Sequence, residues 1–255
     1  MKASRPRGCP PSPLLLRLRW ESRSDEPQGS LAESDLPDPA AGTTLSGMPH
    51  AGDTPKRSIT LAVTGASGAL YARTMLEALE ADERVGCVNL VVSDNGLRLI
   101  AEELGLSGRS ELVRQLLGHK PGKTQLQSND DIGANVASGS YPTDAMIVLP
   151  CSMAALARIA NGLASKLIDR AADVCLKERI PLVLCVRETP LNRVHLRNMT
   201  LAAEAGATIY PVVPAFYNHP QSLDDLVRHF VGRVLKHIGL PQPGAYIWKA
   251  EESGG

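Results

Sequence analysis

The sequence predicts an α/β fold in which a single doubly wound parallel sheet is flanked by helices. Two observations carry this prediction. From Ile59 onward, short apolar runs rich in Val, Ile and Leu alternate with longer stretches of helical periodicity. The short runs are apolar along their whole length, which is typical of parallel strands covered by helices on both faces.

Each strand is predicted from one apolar run, at 59–64, 86–93, 145–150, 181–186 and 208–213. Six helices are predicted from the stretches that separate these runs, at about 69–81, 95–104, 109–118, 152–160, 165–178 and 192–205. The last helix has the clearest pattern, because apolar residues from Leu223 to Ile238 follow the i, i+3, i+4, i+7 spacing. Ser222 with Asp225 predicts a capping box at its start, and Gly239 predicts its end.

The first 57 residues differ from the rest of the chain. They hold nine of the 19 prolines and no sustained apolar period, so we expect a disordered extension at 1–57. The predicted domain covers 58–240, and 241–255 is predicted to be a tail. The Arg-rich, acid-free stretch before Glu21 has the composition of a transit peptide, whereas the position of Met48 close to the first strand favours a non-functional extension.

Composition excludes several classes of function. The formal net charge is +0, so the chain has no overall positive charge that would attract nucleic acid or an anionic membrane surface. The five cysteines form no CxxC pair, which is typical of a reducing compartment. No apolar stretch reaches the roughly 20 residues that span a bilayer, and no spacing of His, Cys and Asp predicts a metal site. We expect a cytoplasmic protein, or a mitochondrial one if the first residues are a transit peptide.

The turn after the first strand is built from small residues. Positions 65–68 (GASG) leave backbone N–H groups unobstructed where a helix begins, and Ser67 adds a hydroxyl, so the turn can hold an anion. The same residues would also permit tight strand–helix packing without a ligand, and this alternative stays open. A dinucleotide is disfavoured because the later glycine of GxGxxG is missing and Tyr71 crowds the approach. A mononucleotide phosphate fits better.

Polar side chains follow the carboxyl end of every predicted strand. They are Ser67, Ser93, Cys151 with Ser152, Arg187 with Glu188, and Tyr217. Because ligands of open parallel sheets bind beyond these ends, the set predicts one site. Simpler interpretations remain for single members: Ser152 as a helix N-cap, Cys151 as a small buried residue, and Arg187 with Glu188 as a surface ion pair.

Three further cations and one histidine receive ordinary interpretations from the sequence. Arg170 and Lys177 lie seven residues apart on one helix face with Asp173 between them, which is typical of a solvated charge ladder. Arg233 flanks the apolar stripe of the last helix and is expected to face solvent. His195 is expected to pack against or cap its helix.

Four runs of the sequence are similar to one known family. They are TGASGALY, ASGSYPTDAMIVLPCSM, RAADVCLKERIPLVLCVRETPLNRVHLRNM and PVVPAFYNHPQSLDDLVRHFVGRVL. Through them, residues 58–240 resemble the flavin prenyltransferases (UbiX/Pad-type). The resemblance implies an FMN-binding, Rossmann or flavodoxin-like domain without a metal, in a large homo-oligomer that is a dodecamer in the family. It also implies transfer of a dimethylallyl group from dimethylallyl monophosphate to N5 and C6 of reduced FMN, with a UbiD-type decarboxylase, for example in ubiquinone synthesis, receiving the product.

The resemblance implies roles for individual residues as well. The FMN contacts would be Gly65, Ala66, Ser67, Ser93, Ser152, Met153, Ala154, Ala155 and Arg187. The groups around the prenyl phosphate would be Tyr217, Arg233, Lys177 and Arg170. Glu188 as an acid, together with Lys177 and Ser67, would act in the reaction. The chain departs from the family at Asp94, where relatives often carry lysine, and the role of this position is open.

Two other functions stay open at this point. A decarboxylase of the phosphopantothenoylcysteine type would need a catalytic histidine after the first helix and a PASANT-like loop, and neither is visible in the sequence. A non-catalytic flavin carrier would bind FMN but would tolerate the loss of Glu188 and Lys177, whereas a transferase would not.

Overall fold

The computed structural model describes residues 55–106 and 108–244. The predicted disordered extension at 1–57 lies outside this range except for its last three residues, and so does most of the predicted tail at 241–255. Both therefore stay predictions. Within the described part of the chain, no helix is long and apolar enough to cross a membrane.

The predicted α/β fold is confirmed, since six parallel strands form one sheet with helices packed against it. The strands are β1 (Arg57–Val63), β2 (Val85–Val92), β3 (Thr124–Ser128), β4 (Ala145–Cys151), β5 (Leu182–Val186) and β6 (Thr208–Ile209). Their spatial order is β3-β2-β1-β4-β5-β6, so the winding direction reverses between β1 and β4. The carboxyl ends of these two strands flank the switch point, where open α/β sheets bind their ligands.

The helices follow the predicted alternation with the strands. Those in the described range are α1 (Ala69–Ala81), α2 (Asp94–Leu104), α3 (Leu112–Leu117), α4 (Met153–Ala160), α5 (Leu167–Glu178), α6 (Arg193–Glu204) and α7 (Leu223–His237). The capping box predicted from Ser222 and Asp225 is present at the start of α7. His195 forms a capping box with Asn192 at the start of α6, as expected of a capping histidine.

The core has two layers, one on each face of the sheet. Side chains alternate along β1, so that Leu61 packs with α1 and α7 on one face while Ala62 packs with α4 and α5 on the other. Both layers consist of buried apolar side chains such as Phe230 of α7 and Leu156 of α4. Burial of apolar area on both faces is what holds a sheet of this kind together.

Two strands differ from the sequence prediction. Strand β3 was missed because its sequence, TQLQS, is mostly polar and lies at the edge of the sheet, where β2 is its partner. The predicted strand 208–213 keeps strand geometry only at Thr208–Ile209. Pro211 has no N–H to donate to the ladder, although Val212 N–H still donates to the carbonyl oxygen of Val186 at 2.9 Å.

Candidate functional site

The loops after β1, β2, β4 and β5 lie together at the carboxyl ends of the parallel strands, and this end of the sheet is here called the rim. Main-chain hydrogen bonds tie neighbouring loops together. The N–H of Ser93 donates to the carbonyl oxygen of Val63 at 3.0 Å, and the N–H of Arg187 donates to the carbonyl oxygen of Cys151 at 3.1 Å. The rim therefore brings together Ser67, Ser93, Ser152 and Arg187, as the strand ends predict.

Close packing requires glycine at Gly65 in the first turn and at Gly96 in the facing helix α2. A Cβ atom at Gly65 would lie 2.4 Å from Cβ of Asn95, and one at Gly96 would lie 2.7 Å from the carbonyl oxygen of Val63. Gly68 has a φ of 133°, a backbone conformation that residues with a side chain rarely adopt. Tight packing between the turn and α2 thus explains part of the small-residue pattern.

The start of α1 already holds an anion, the carboxylate of Glu103. The N–H of Gly68 donates to Oε2 of this carboxylate at 3.0 Å, and the N–H of Ala69 donates to it at 2.7 Å. Helix α1 has no acidic residue in its own first turn, so Glu103 of α2 supplies the negative charge that a helix N-terminus favours. In the described part of the chain, the N–H groups of Gly65 and Ser67 have no hydrogen-bond partner. These two N–H groups and the exposed hydroxyl of Ser67 are therefore available to an external ligand.

Ser93 and Ser152 are N-caps. The Oγ of Ser93 accepts a hydrogen bond from the N–H of Gly96 at 3.1 Å, and the Oγ of Ser152 accepts one from the N–H of Ala155 at 3.3 Å. Capping does not use up the start of α4, because the N–H groups of Met153 and Ala154 find no acceptor among the described residues. These donors lie at the switch point of the sheet.

Arg187 and Glu188 follow β5, and both are exposed. The surface ion pair considered for them does not form, since neither takes part in a salt bridge within residues 55–106 and 108–244. One carboxylate oxygen of Glu188 accepts a hydrogen bond from the N–H of Thr189 at 3.0 Å. A guanidinium and a carboxylate are therefore available side by side at the rim.

A cluster of Tyr217, His229 and Arg233 lies beyond β6. Nη1 of Arg233 donates to Oη of Tyr217 at 3.2 Å, and the same oxygen lies 3.2 Å from Nε2 of His229. His229 and Arg233 also line a cavity of about 390 Å³ whose other walls include Tyr210 and Phe230. Burial and the charge of Arg233 both lower the pKa of His229, which favours the neutral imidazole.

Lys177 lies at the opposite edge of the sheet from the rim. It is in the last turn of α5, just before β5 begins, and a Cβ atom at Gly139 would lie 2.7 Å from its Nζ. The five residues of β5 separate this edge from Arg187 by about 16 Å. Lys177 forms an ion pair with Glu178. Within one chain, Lys177 and Arg187 are therefore not brought together.

Arg170 lies two turns earlier on the same face of α5. Its Nη1 donates to the carboxylate of Asp173 at 2.6 Å, and its Nε donates to the carbonyl oxygen of Ala137 at 3.2 Å. The pair with Asp173 is the charge ladder that the sequence predicts. Arg170 and Lys177 thus share one face of α5, and each is paired with an acidic residue of the same helix.

Cys151 is a buried residue, as its simpler interpretation predicts. It is fully buried between Pro150 and Ser152, and burial raises the pKa of its thiol to about 12. A thiol of this kind is not a nucleophile at neutral pH.

Three contributors to the site were not identified from the sequence. Thr64 joins the loop after β1 to the loop after β4, Glu103 occupies the start of α1, and His229 contacts Tyr217. His229 had a usable signal, since it lies four residues before Arg233 on α7 and therefore shares its face. Glu103 had none, because it reaches Ala69 from 34 residues away.

Comparison with known proteins first defines the class. A family model described as Flavoprotein matches residues 48–235, and these include every element that forms the rim. The chain is thus a flavoprotein.

Closer relatives define the family. Flavin prenyltransferase UbiX of Salmonella typhimurium is 44% identical over 187 residues, which cover 73% of this chain and 94% of the relative. The crystal structure of AnUbiX (PadA1) in complex with FMN and dimethylallyl pyrophosphate is 41% identical, with a TM-score of 0.68, and the match covers 76% of this chain and 98% of that one. A dodecameric FMN-dependent UbiX-like decarboxylase from Escherichia coli O157:H7 is 40% identical, with a TM-score of 0.67 and coverage of 76% and 100%. The chain belongs to the UbiX family of flavin prenyltransferases.

Proposed function

We propose that this enzyme transfers a dimethylallyl group from dimethylallyl monophosphate to N5 and C6 of reduced FMN, producing prenylated FMN. The observation that carries the proposal is the rim, where free N–H donors, Ser67 and Arg187 meet at the switch point of a UbiX-family sheet. Support also comes from AnUbiX (PadA1), which was crystallised with FMN and the related dimethylallyl pyrophosphate.

The flavin site is proposed at the rim. Its chemistry fits FMN, because the N–H groups of Ser67, Met153 and Ala154 are donors for phosphate or flavin oxygens and the exposed guanidinium of Arg187 is a further cationic donor. The proposed FMN contacts are the same as those that the sequence implies: Gly65, Ala66, Ser67, Ser93, Ser152, Met153, Ala154, Ala155 and Arg187. Reduced FMN, when bound there, supplies the nucleophilic N5 and C6 positions.

The prenyl phosphate is proposed to bind Arg233 and Tyr217. Loss of phosphate from an allylic ester leaves a carbocation and a dianion, so fixed donors next to the phosphate stabilise the charge where it develops. Arg233 and the Tyr217 hydroxyl are already joined at 3.2 Å, which holds both donors in place before the substrate arrives. Glu188 is proposed as the acid that protonates the departing phosphate, and Ser67 as a further group in the reaction.

Arg170 and Lys177 are proposed to complete the phosphate site from a neighbouring subunit. Within their own chain both are paired with acidic residues of α5, and Lys177 lies at the opposite ends of the strands from Arg187. A homo-oligomer can place that face against the rim of another copy, and the dodecameric relative from Escherichia coli supports an assembly of this kind. We propose the dodecamer for this chain as well.

The direct test is the mass of the flavin after anaerobic incubation of the purified protein with reduced FMN and dimethylallyl monophosphate. We expect the mass to rise by one dimethylallyl group, and an unchanged mass would overturn the proposed transfer. A non-catalytic flavin carrier would tolerate Glu188→Gln and Lys177→Ala, because neither side chain would be needed to keep FMN bound. We expect both variants to retain FMN and to lose most of the transfer.

The recipient of the product and the location of the enzyme are further proposals. Prenylated FMN is expected to pass to a UbiD-type decarboxylase, for example in ubiquinone synthesis. A cytoplasmic location is proposed because the relatives compared above include bacterial enzymes.

A further inference from the structure

Thr64 joins the two loops that flank the switch point. It follows β1 directly and is 2% exposed. Its hydroxyl donates a hydrogen bond to the carbonyl oxygen of Pro150 at 2.8 Å and accepts one from the N–H of Ser152 at 2.8 Å. The N–H of Thr64 also donates to Pro150 at 3.2 Å. One buried residue thus makes three hydrogen bonds that join the end of β1 to the end of β4.

These bonds fix the start of α4 relative to the turn after β1. Ser152 is the N-cap of α4, and the free N–H groups of Met153 and Ala154 come directly after it. On the other side, Thr64 immediately precedes the turn at 65–68. The hydroxyl of Thr64 therefore links two groups of donors that are proposed above to contact the same FMN molecule.

We propose that Thr64 is a positioning residue for flavin binding, acting through its hydroxyl and without contact to the flavin. This inference rests on the proposed function, because it assumes that the two loops bind one FMN molecule. A valine has nearly the shape of threonine but no hydroxyl, so Thr64→Val would leave the N–H of Ser152 without its acceptor. The loops would then keep their sequence but lose their fixed spacing.

Strand β1, which leads directly to Thr64, offers a matched control. Thr60 is 1% exposed, four residues before Thr64, and its hydroxyl has no hydrogen-bond partner among the described residues. Thr60→Val therefore removes a buried hydroxyl from β1 without breaking a hydrogen bond. Thr64→Ser, in contrast, keeps the hydroxyl and removes only a methyl group.

The first measurement is the dissociation constant of FMN from quenching of flavin fluorescence. We expect it to rise on the order of tenfold in Thr64→Val, and to stay within about twofold of wild type in Thr64→Ser and Thr60→Val, since misplaced binding groups lose much of their effect. Equal affinity of Thr64→Val and wild type would overturn the inference, and so would an equal loss in Thr60→Val. If the wild-type protein itself bound no FMN, the proposed function would fall instead.

The second measurement needs no flavin. Amide hydrogen exchange of residues 151–155 is expected to be faster in Thr64→Val than in wild type and in Thr64→Ser. Unchanged exchange would show that the hydroxyl does not hold the start of α4. Should Thr64→Val fail to fold, Thr64→Cys compared with Thr64→Ser makes the same test, because the two side chains differ only in sulfur for oxygen and the thiol is the weaker hydrogen-bonding group.

Discussion

Arg187 combines a main chain that is fixed with a side chain that is free to bind. Its N–H donates to Cys151 at 3.1 Å, and this bond does not depend on the side chain. We expect Arg187→Ala to weaken FMN binding on the order of tenfold while leaving the fold intact, because a charge-assisted hydrogen bond is lost. Flavin fluorescence measures the affinity, and Arg114→Ala, which removes an exposed arginine from α3, is the control. Wild-type affinity in Arg187→Ala would move the flavin site elsewhere.

Single residues could be predicted from the sequence only where their partners are close along the chain. Ser222 was predicted as a cap, and capping was one of two interpretations of Ser152, because the groups they bind follow three residues later. Glu103 and Thr64 were not, because their partners lie 34 and 88 residues away and meet them only in the folded sheet. The contact of Glu103 with the start of α1 could therefore be found only in the tertiary structure.

At the scale of elements, β3 depends on a carboxylate of α1. Glu80 accepts hydrogen bonds from the N–H of Lys123 at 3.0 Å, from the N–H of Gly122 and from the hydroxyl of Thr124, at the start of the strand. The short polar strand was missed in the sequence for the same reason that it needs this support: it has few apolar side chains to bury. A polar edge strand is held by contacts that hydrophobic periodicity does not register.

Replacing Glu80 with Gln should therefore destabilise the protein by about 1 kcal/mol at neutral pH. Partial burial raises the pKa of Glu80, but the hydrogen bonds from Thr124, Gly122 and Lys123 outweigh it and leave the pKa below its ordinary value. A lowered pKa in the folded state means that the stabilisation is present above the unfolded pKa and is lost as the pH falls through the folded value. Urea unfolding near neutral pH and in mild acid should show the difference from wild type shrinking in acid.

Glu77→Gln is the matched control for this prediction. Glu77 lies one turn earlier on α1 and forms an exposed ion pair with Arg73 at 3.6 Å. Exposed pairs of this kind contribute little, so the free energy of unfolding should change by less than about 0.5 kcal/mol. A similar loss in both variants would mean that Glu80 acts through general charge and not through its bonds to the start of β3.

At the scale of the whole molecule, the sheet could be predicted from the sequence but the complete site could not. Continuous apolar strands identified the sheet, and its carboxyl edge follows from the parallel topology, which is why Ser67, Ser152 and Arg187 were placed at one edge correctly. The face that carries Lys177 is different. Its helix was predicted, yet no property of one chain reveals what covers an outer helix face in an assembly.

Mixed oligomers test whether Lys177 acts across subunits. Lys177→Ala should be nearly inactive as a pure oligomer, and Arg187→Ala should be so when FMN is supplied well below the wild-type dissociation constant. In oligomers formed by coexpression of the two chains, a site that takes Arg187 from one chain and Lys177 from the other can be wild type at both positions. Random assembly in equal amounts predicts recovery of about a quarter of the wild-type activity.

A second mixture provides the control for this recovery. Arg187 and Glu188 are adjacent on one chain, so every site formed from Arg187→Ala and Glu188→Gln chains carries one of the two lesions. This mixture should stay inactive, as judged by the mass of the flavin after anaerobic incubation. Recovery in the first mixture and not in the second would follow only if Lys177 and Arg187 of one site come from different subunits. If the first mixture stays as inactive as its parents, Lys177 does not reach a neighbouring site, and its proposed contact with the prenyl phosphate is wrong.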